Sequence, residues 1–184
     1  MPDSPDRRAD EAQPPRSAHR LPPARARHLG PEDAQRVTAL LTDGTHAVAS
    51  AAALVLVDDS GIVQRVEWHE IDHASFDAER RTLTVRFTDG AREPLELVTA
   101  GPRGADVITA VRERVEASVI HQEQTMVADG TRVRVALRRD GDGRVFTQVT
   151  TLGSPTLTER DMARIEDLTR RVRATIGLTE DDAL

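Results

Sequence analysis

The sequence TLTVRFTDG at residues 82–90 decides the fold class of this 184-residue chain. Apolar and polar side chains alternate along its first six residues, and a period of two predicts a β-strand with one buried face. Asp89-Gly90 is a strong signal for a hairpin turn. Residues 93–98 then predict the returning strand, and Pro94 indicates an edge position or the start of that strand. An antiparallel sheet is therefore expected at the centre of the fold.

More strands are predicted upstream of this hairpin and a helix downstream. Four segments rich in β-branched or other apolar residues stand between turn residues; they are residues 46–50, 53–57, 63–68 and 71–76. Residues 30–44 instead predict a short helix, because Pro31 suits the first helical position and Gly44 suits a helix end. Residues 106–120 carry an apolar stripe at helical spacing, which predicts the clearest helix of the chain.

A second β unit follows that helix. Alternation in residues 131–138 places Val133, Val135 and Leu137 on one face and Arg132, Arg134 and Arg138 on the other. The turn Asp140-Gly141-Asp142-Gly143 joins them to a returning strand at 145–152. Residues 154–177 predict the last helix, with Thr158 and Asp161 spaced as in a capping box. The fold class predicted from these patterns is α+β.

The chain ends differ in composition from the middle. Residues 1–28 are rich in Pro, Arg, Asp and Ala without periodicity, and such a segment is expected to be a disordered N-terminal extension. Residues 179–184 form an acidic tail. No signal sequence is visible, and the most apolar run, residues 46–57, is about half the length of a membrane helix. A cytoplasmic location is therefore expected, and the lack of cysteine agrees with a reducing compartment.

The composition also bears on partners. The formal net charge is −6 and aromatic residues make up only 2 % of the chain. Phosphate contacts need surplus cations and base stacking needs exposed rings, so nucleic acid is not an expected partner. All 25 basic residues counted as Lys or Arg are arginines. Their abundance reflects a high-GC codon bias as well as any function.

One short motif resembles a zinc-protease signature. His69-Glu70-Ile71-Asp72-His73 has the H-E-x-x-H spacing, in which a helix brings two imidazoles to one metal. The surrounding residues favour strands, and a strand would hold His69 and His73 about 13 Å apart at roughly 3.3 Å per residue. That separation is too large for a shared zinc ion. A zinc hydrolase is kept only as an alternative, and no metal or other cofactor is expected.

Five arginines cluster on the second hairpin: Arg132, Arg134, Arg138, Arg139 and Arg144. Alternation places three of them on one face of one strand, where they could bind an anion such as nucleic acid or acidic lipid. The simpler interpretation is a solvated strand face in an arginine-biased chain. Both interpretations remain open from the sequence.

Residues 45–120 resemble a bacterial PH-like (GRAM-like) domain. The resemblance rests on strand 53–57 with its turn, on Val66-Glu67-Trp68-His69-Glu70-Ile71-Asp72, on residues 82–98 and on the following helix. It implies a bent antiparallel sheet or partial barrel capped by one helix, with Trp68 and Ile71 in the core. The whole chain is also similar to an uncharacterised family from high-GC bacteria, in which a β-hairpin and a C-terminal helix follow such a domain.

The expected organisation has four parts: the extension 1–28, a PH-like α+β domain at 29–122, the hairpin with its helix at 123–178, and the tail 179–184. The expected function is that of a non-enzymatic module for protein interaction or scaffolding with an unidentified protein partner. The alternatives are an anion-binding regulator that uses the arginine hairpin and the zinc hydrolase. Formation of a homodimer through a sheet edge near Pro94 or the hairpin is left open.

Overall fold

The computed structural model describes residues 21–34, 36–101, 103–151, 153 and 156–177. They form a mixed α+β structure with three antiparallel sheets. Two sheets and one helix make up a first unit, residues 37–118, and the third sheet and the last long helix make up a second unit, residues 119–177. None of the helices in the described segments is long and apolar enough to cross a bilayer.

The first unit begins with a four-stranded sheet whose spatial order follows the chain. Its strands are β1 (Val37–Leu40), β2 (His46–Ala49), β3 (Ala53–Val57) and β4 (Ile62–Glu67). The strands β2 and β3 are buried throughout, because side chains pack against both faces of this sheet. Short polar turns join neighbouring strands, and Gly44 has the positive φ of 89° that the turn between β1 and β2 requires.

A single 3₁₀ turn, Trp68–Glu70, leads from β4 into the second sheet. That sheet contains β5 (Ile71–Asp77), β6 (Thr82–Phe87) and β7 (Leu95–Val98), again in chain order. A bridge between Leu41 and Thr99 links the two sheets at one corner. The predicted hairpin at residues 82–98 is confirmed, with Val85 opposite Leu95 and Leu83 opposite Leu97.

Helix α2 (Gly104–Ser118) closes the first unit by contacting strands of both sheets. Its apolar stripe packs into one core made almost entirely of aliphatic side chains. Trp68 and Ile71 lie in that core, and the indole Nε1 of Trp68 donates to the carbonyl oxygen of Ala51 at 3.2 Å. A buried indole with a satisfied N–H stabilises the bend between the sheets.

The second unit is a three-stranded sheet with a helix on one face. Its strands are β8 (Val119–Met126), β9 (Arg132–Arg139) and β10 (Val145–Thr151), with β9 in the middle. Helix α3 (Glu159–Ala174) buries Leu168 and Val172 against Val135 and Leu137 of β9. The predicted capping box is confirmed, since the Thr158 hydroxyl accepts from the backbone N–H of Asp161.

An N-terminal segment, residues 21–34, lies on the outer face of the first sheet. It contains the four-residue helix α1 (Pro23–Ala26), and Leu21, Ala26 and Leu29 pack on Val48 and its neighbours. The sequence predicts disorder as far as residue 28, and this prediction is wrong for residues 21–28. Burial of these few apolar side chains, together with polar anchors, holds the segment in place. Residues 1–20 and 179–184 lie outside the described residues.

Two other predictions need correction. The helix predicted at residues 30–44 is a 3₁₀ turn, Pro31–Asp33, followed by β1, because residues 37–40 find a hydrogen-bonding partner in β2. The helix predicted at 106–120 ends at Ser118, and the unpredicted strand β8 begins at Val119. The sheet of the second unit therefore starts before the predicted boundary at residue 123. Strand β8 has polar residues on both faces, so its sequence lacks the apolar–polar alternation that predicts a strand.

Candidate functional site

The two motifs singled out in the sequence meet at the junction between the two units. Strand β9 directs valine and leucine toward α3, as its alternation predicts, and directs Arg134, Ala136 and Arg138 to the opposite face. That face is not open to solvent along its whole length. It lies against the 3₁₀ turn and the start of β5, which carry the sequence His69–His73.

Arg138 is the most deeply buried charged group of this junction, with 3 % of the residue exposed. Its Nη1 donates to the carbonyl oxygen of Trp68 and to the hydroxyl of Ser118, each at 3.1 Å. Burial, and then the positive charge of Arg134, lower the pKa of Arg138 to about 10. The guanidinium therefore remains charged at neutral pH and joins β9 to the bend between the two sheets of the first unit.

Asp72 makes a second set of contacts at this junction, with Arg134 and His73. Its carboxylate accepts from Nη2 of Arg134 and lies 2.9 Å from Nδ1 of His73. Burial lowers the pKa of Arg134. A carboxylate only accepts hydrogen bonds, so the proton of the imidazole lies on Nδ1 and Nε2 is left for an external partner. More than half of the His73 side chain, 56 %, is exposed.

Glu70 has a positioning role in the same region. One of its carboxylate oxygens accepts from the backbone N–H of Glu67 at 2.7 Å, and the other accepts from Nη1 of Arg92 at 3.1 Å. The Arg92 guanidinium also stacks 3.6 Å above the centre of the Phe87 ring. These contacts hold the loop between β6 and β7 against the 3₁₀ turn.

Strand β10 completes the junction. Nε2 of Gln148 donates to the carbonyl oxygen of His69 at 3.2 Å and to the hydroxyl of Thr88 at 3.3 Å. The His69 ring meets the Phe146 ring edge to face, with 5.0 Å between the ring centres. His69 is therefore packed between the units, whereas His73 faces the surface.

The backbone of the H-E-x-x-H motif is not a continuous α-helix. His69 and Glu70 belong to the 3₁₀ turn, and Ile71 to His73 belong to β5. The two imidazoles have separate surroundings, because His69 packs on Phe146 and His73 binds Asp72. Across the described segments, no three histidine, aspartate or glutamate side chains are grouped so that they could hold a metal ion.

The five arginines of the hairpin do not share one surface. Arg134 and Arg138 are bound inside the junction, as described above. Arg144 pairs with Asp142 at 2.9 Å, within the turn of its own hairpin. Arg132 and Arg139 are exposed and make no ion pair with another described residue. Alternation correctly placed Arg132, Arg134 and Arg138 on one face, but that face is largely an internal contact.

A cleft of about 410 Å³ opens beside the Asp72 contacts. We call it the junction cleft. The end of the second sheet, the loop between β6 and β7 and the end of β10 form its walls. Its lining residues are Asp72, His73, Arg86, Phe87, Thr88, Asp89, Gly90, Arg92, Pro94, Thr150, Thr151 and Gly153.

Arg86 is the functional candidate that sequence reasoning missed. It stands opposite His73 in the pairing of β5 with β6, and its side chain is exposed. Among the described residues it has no hydrogen-bond acceptor and no carboxylate partner, whereas Arg92 and Arg134 are both bound. The outward position of Arg86 in TLTVRF was visible in the sequence, but the cleft that it lines together with the end of β10 was not.

Comparisons of this chain with protein-family models, with curated proteins and with solved structures found no match.

Proposed function

We propose that this chain is a non-enzymatic protein-interaction module that binds a carboxylate of a partner protein in the junction cleft. The observation that carries the proposal is the side chain of Arg86, which lines this cleft without a hydrogen-bond or ion-pair partner among the described residues. A planar guanidinium donates two parallel hydrogen bonds to a carboxylate, which gives the contact both strength and direction.

The other charges of the cleft favour a carboxylate over a polyanion. Asp72 and Asp89 also line the cleft, so its positive charge is modest. A phosphate carries more charge than one open guanidinium beside two carboxylates can balance, and the net charge of −6 disfavours long polyanions. An aspartate or glutamate side chain of a partner protein matches the cleft better.

A binding role also agrees with the contacts of the acidic side chains near the cleft. Glu70 and Asp72 are each bound to an arginine, and both serve to position neighbouring groups. We therefore propose for the H-E-x-x-H residues a role in holding the two units together.

For residues 37–118 we propose a PH-like arrangement. Seven antiparallel strands in groups of four and three, followed by one helix, agree with the bent sheet and closing helix that the resemblance implies. The bridge between Leu41 and Thr99 supports the same proposal, because it joins the two sheets at one corner.

The test is a titration of the ¹⁵N-labelled chain with a short glycine-serine peptide that carries one glutamate. We expect amide shifts at His73, Arg86 and Thr150, with binding at least tenfold weaker in Arg86→Ala, which corresponds to about 1.4 kcal/mol. The matched control is Arg139→Ala, an exposed arginine outside the cleft, and it should bind like the unmodified chain. A peptide of the same sequence with glutamine in place of the glutamate should not bind.

Two results would overturn the proposal. One is a set of amide shifts centred on Arg132 and Arg139, which would show that the peptide binds to the hairpin surface. The other is equal binding by Arg86→Ala and the unmodified chain. Inorganic phosphate serves as a second probe, and saturation by phosphate at lower concentration than by the peptide would contradict the preference for a carboxylate.

A further inference from the structure

Strand β8 has an unpaired edge whose protection is limited to Glu123 and to a bulge near its start. It lies at the end of the β10-β9-β8 sheet, and no other described strand pairs with its outer side. The strand is eight residues long and contains no proline, glycine, lysine or arginine. Soluble proteins normally shorten such an edge or place charges or proline on it, because a bare edge pairs with another strand.

The side chains near this edge lie on two distinct faces. His121, Glu123 and Thr125 point to the side of α3, where Glu123 lies 3.8 Å from Arg171. Ile120, Gln122, Gln124 and Met126 point to the other side, and Met126 is 59 % exposed. The Nε2 atom of His121 is buried and makes no hydrogen bond with the described residues. The nearest carboxylate is that of Glu123 on the same strand, 3.5 Å away.

We infer that this edge pairs antiparallel with the same edge of a second copy, with Gln122 at the centre. Residues that lie opposite each other in an antiparallel strand pair point to the same face of the sheet. The twofold axis that relates the two strands must therefore pass between one residue and the same residue of the other copy. An axis at Glu123 would place two carboxylates opposite each other, which is destabilising. An axis at Gln122 places His121 of each copy opposite Glu123 of the other. Among axes at residues 121–124, only this one pairs those two groups.

The pairing would produce one six-stranded sheet with both α3 helices on the same side. Each His121 lies opposite Glu123 of the other copy, and Ile120 lies opposite Gln124 of the other copy. The junction cleft takes no part, since it lies beside β10 at the opposite edge of the sheet. The inference therefore stands independently of the proposed function.

Cysteine cross-linking tests the register directly, because the native chain contains no cysteine. In Gln122→Cys the two thiols lie opposite each other, with Cβ atoms about 5 Å apart. In the matched control Gln124→Cys they are separated by four residues along the strands, or about 13 Å. We expect a short bismaleimide to link the first variant into dimers at least tenfold faster than the second. Equal rates for the two variants, or no cross-linked dimer in either, would overturn the inference.

Sedimentation velocity on the full chain tests whether His121 lies opposite Glu123 of the other copy. The unmodified 20.2 kDa chain should sediment as a dimer at high concentration. His121→Glu opposes two carboxylates and should weaken the dimer at least tenfold, and the exchanged variant His121→Glu with Glu123→Arg should restore it. A chain that stays monomeric at every concentration would refute the pairing, as would a His121→Glu dimer of unchanged affinity.

Discussion

Removal of the Asp72 carboxylate provides the sharpest test of how the two units are joined. The side chains of Asp72 and Arg134 are only 11 % and 19 % exposed. A hydrogen bond between charged groups contributes about 1.5–3 kcal/mol net, and the contact with His73 adds about 0.5–1.5 kcal/mol. We therefore expect Asp72→Ala to lower the free energy of unfolding by about 3 kcal/mol. Roughly 6–12 °C of melting temperature should be lost in a chain of this size.

A double-mutant cycle separates the pair from its surroundings. Arg134→Ala should lower the free energy of unfolding by about 2 kcal/mol. The double variant should lower it by little more than Asp72→Ala alone, which leaves a coupling energy of about 2 kcal/mol between the two side chains. Urea unfolding can be followed by the fluorescence of Trp68, the single tryptophan, which lies next to the junction. The matched control is Arg132→Ala on the same strand, which should change stability by no more than about 0.5 kcal/mol.

A coupling energy below about 0.5 kcal/mol would refute this reasoning. Exposed ion pairs typically give values near or below that level. The pair would then behave as a surface contact, and the junction would have to be held mainly by Arg138 and by the side chains of β10. Equal losses of unfolding free energy in Arg132→Ala and Arg134→Ala would likewise refute it, because they would show that the hairpin arginines have one common role.

Three further predictions concern the rest of the chain. Burial, and then the charge of Arg25, lower the pKa of His46 in the folded state, so the unfolded chain binds a proton at this residue more readily. The stability contribution of neutral His46 is therefore complete above the unfolded pKa of about 6.5 and is lost as pH falls through the folded pKa. His46→Gln should flatten the pH dependence of urea-unfolding stability below about pH 6.5. Thr158→Ala removes the hydroxyl that accepts from the Asp161 N–H and should cost about 1 kcal/mol in the same assay, whereas Thr158→Ser should cost little. Leu168→Ala opens a cavity beneath α3 and should cost about 3–5 kcal/mol by thermal unfolding, and a loss under 1 kcal/mol would show that this helix is not packed on β9.

Local patterns in the sequence predicted the elements whose signals lie within a few residues. The strands at 82–87 and 132–139 show clear alternation, and helix α3 begins with a capping threonine. Residues 37–40 carried a weaker signal. Their spacing suited a short helix, but pairing with β2 decided their conformation.

The sequence by itself therefore determined the α+β class, the aliphatic core and which residues of β9 share a face. The tertiary structure decided what covers that face. Arg134 and Arg138 bind groups 62 and 70 residues away, and alternation along one strand contains no information about such distant partners. The sequence supplied the candidate residues of the site in separate motifs, and only the packing of the two units brought Asp72, His73 and Arg86 to one cleft. The physical reason is that the period of a strand depends on local backbone geometry, whereas the pairing of charges depends on where the chain folds back on itself.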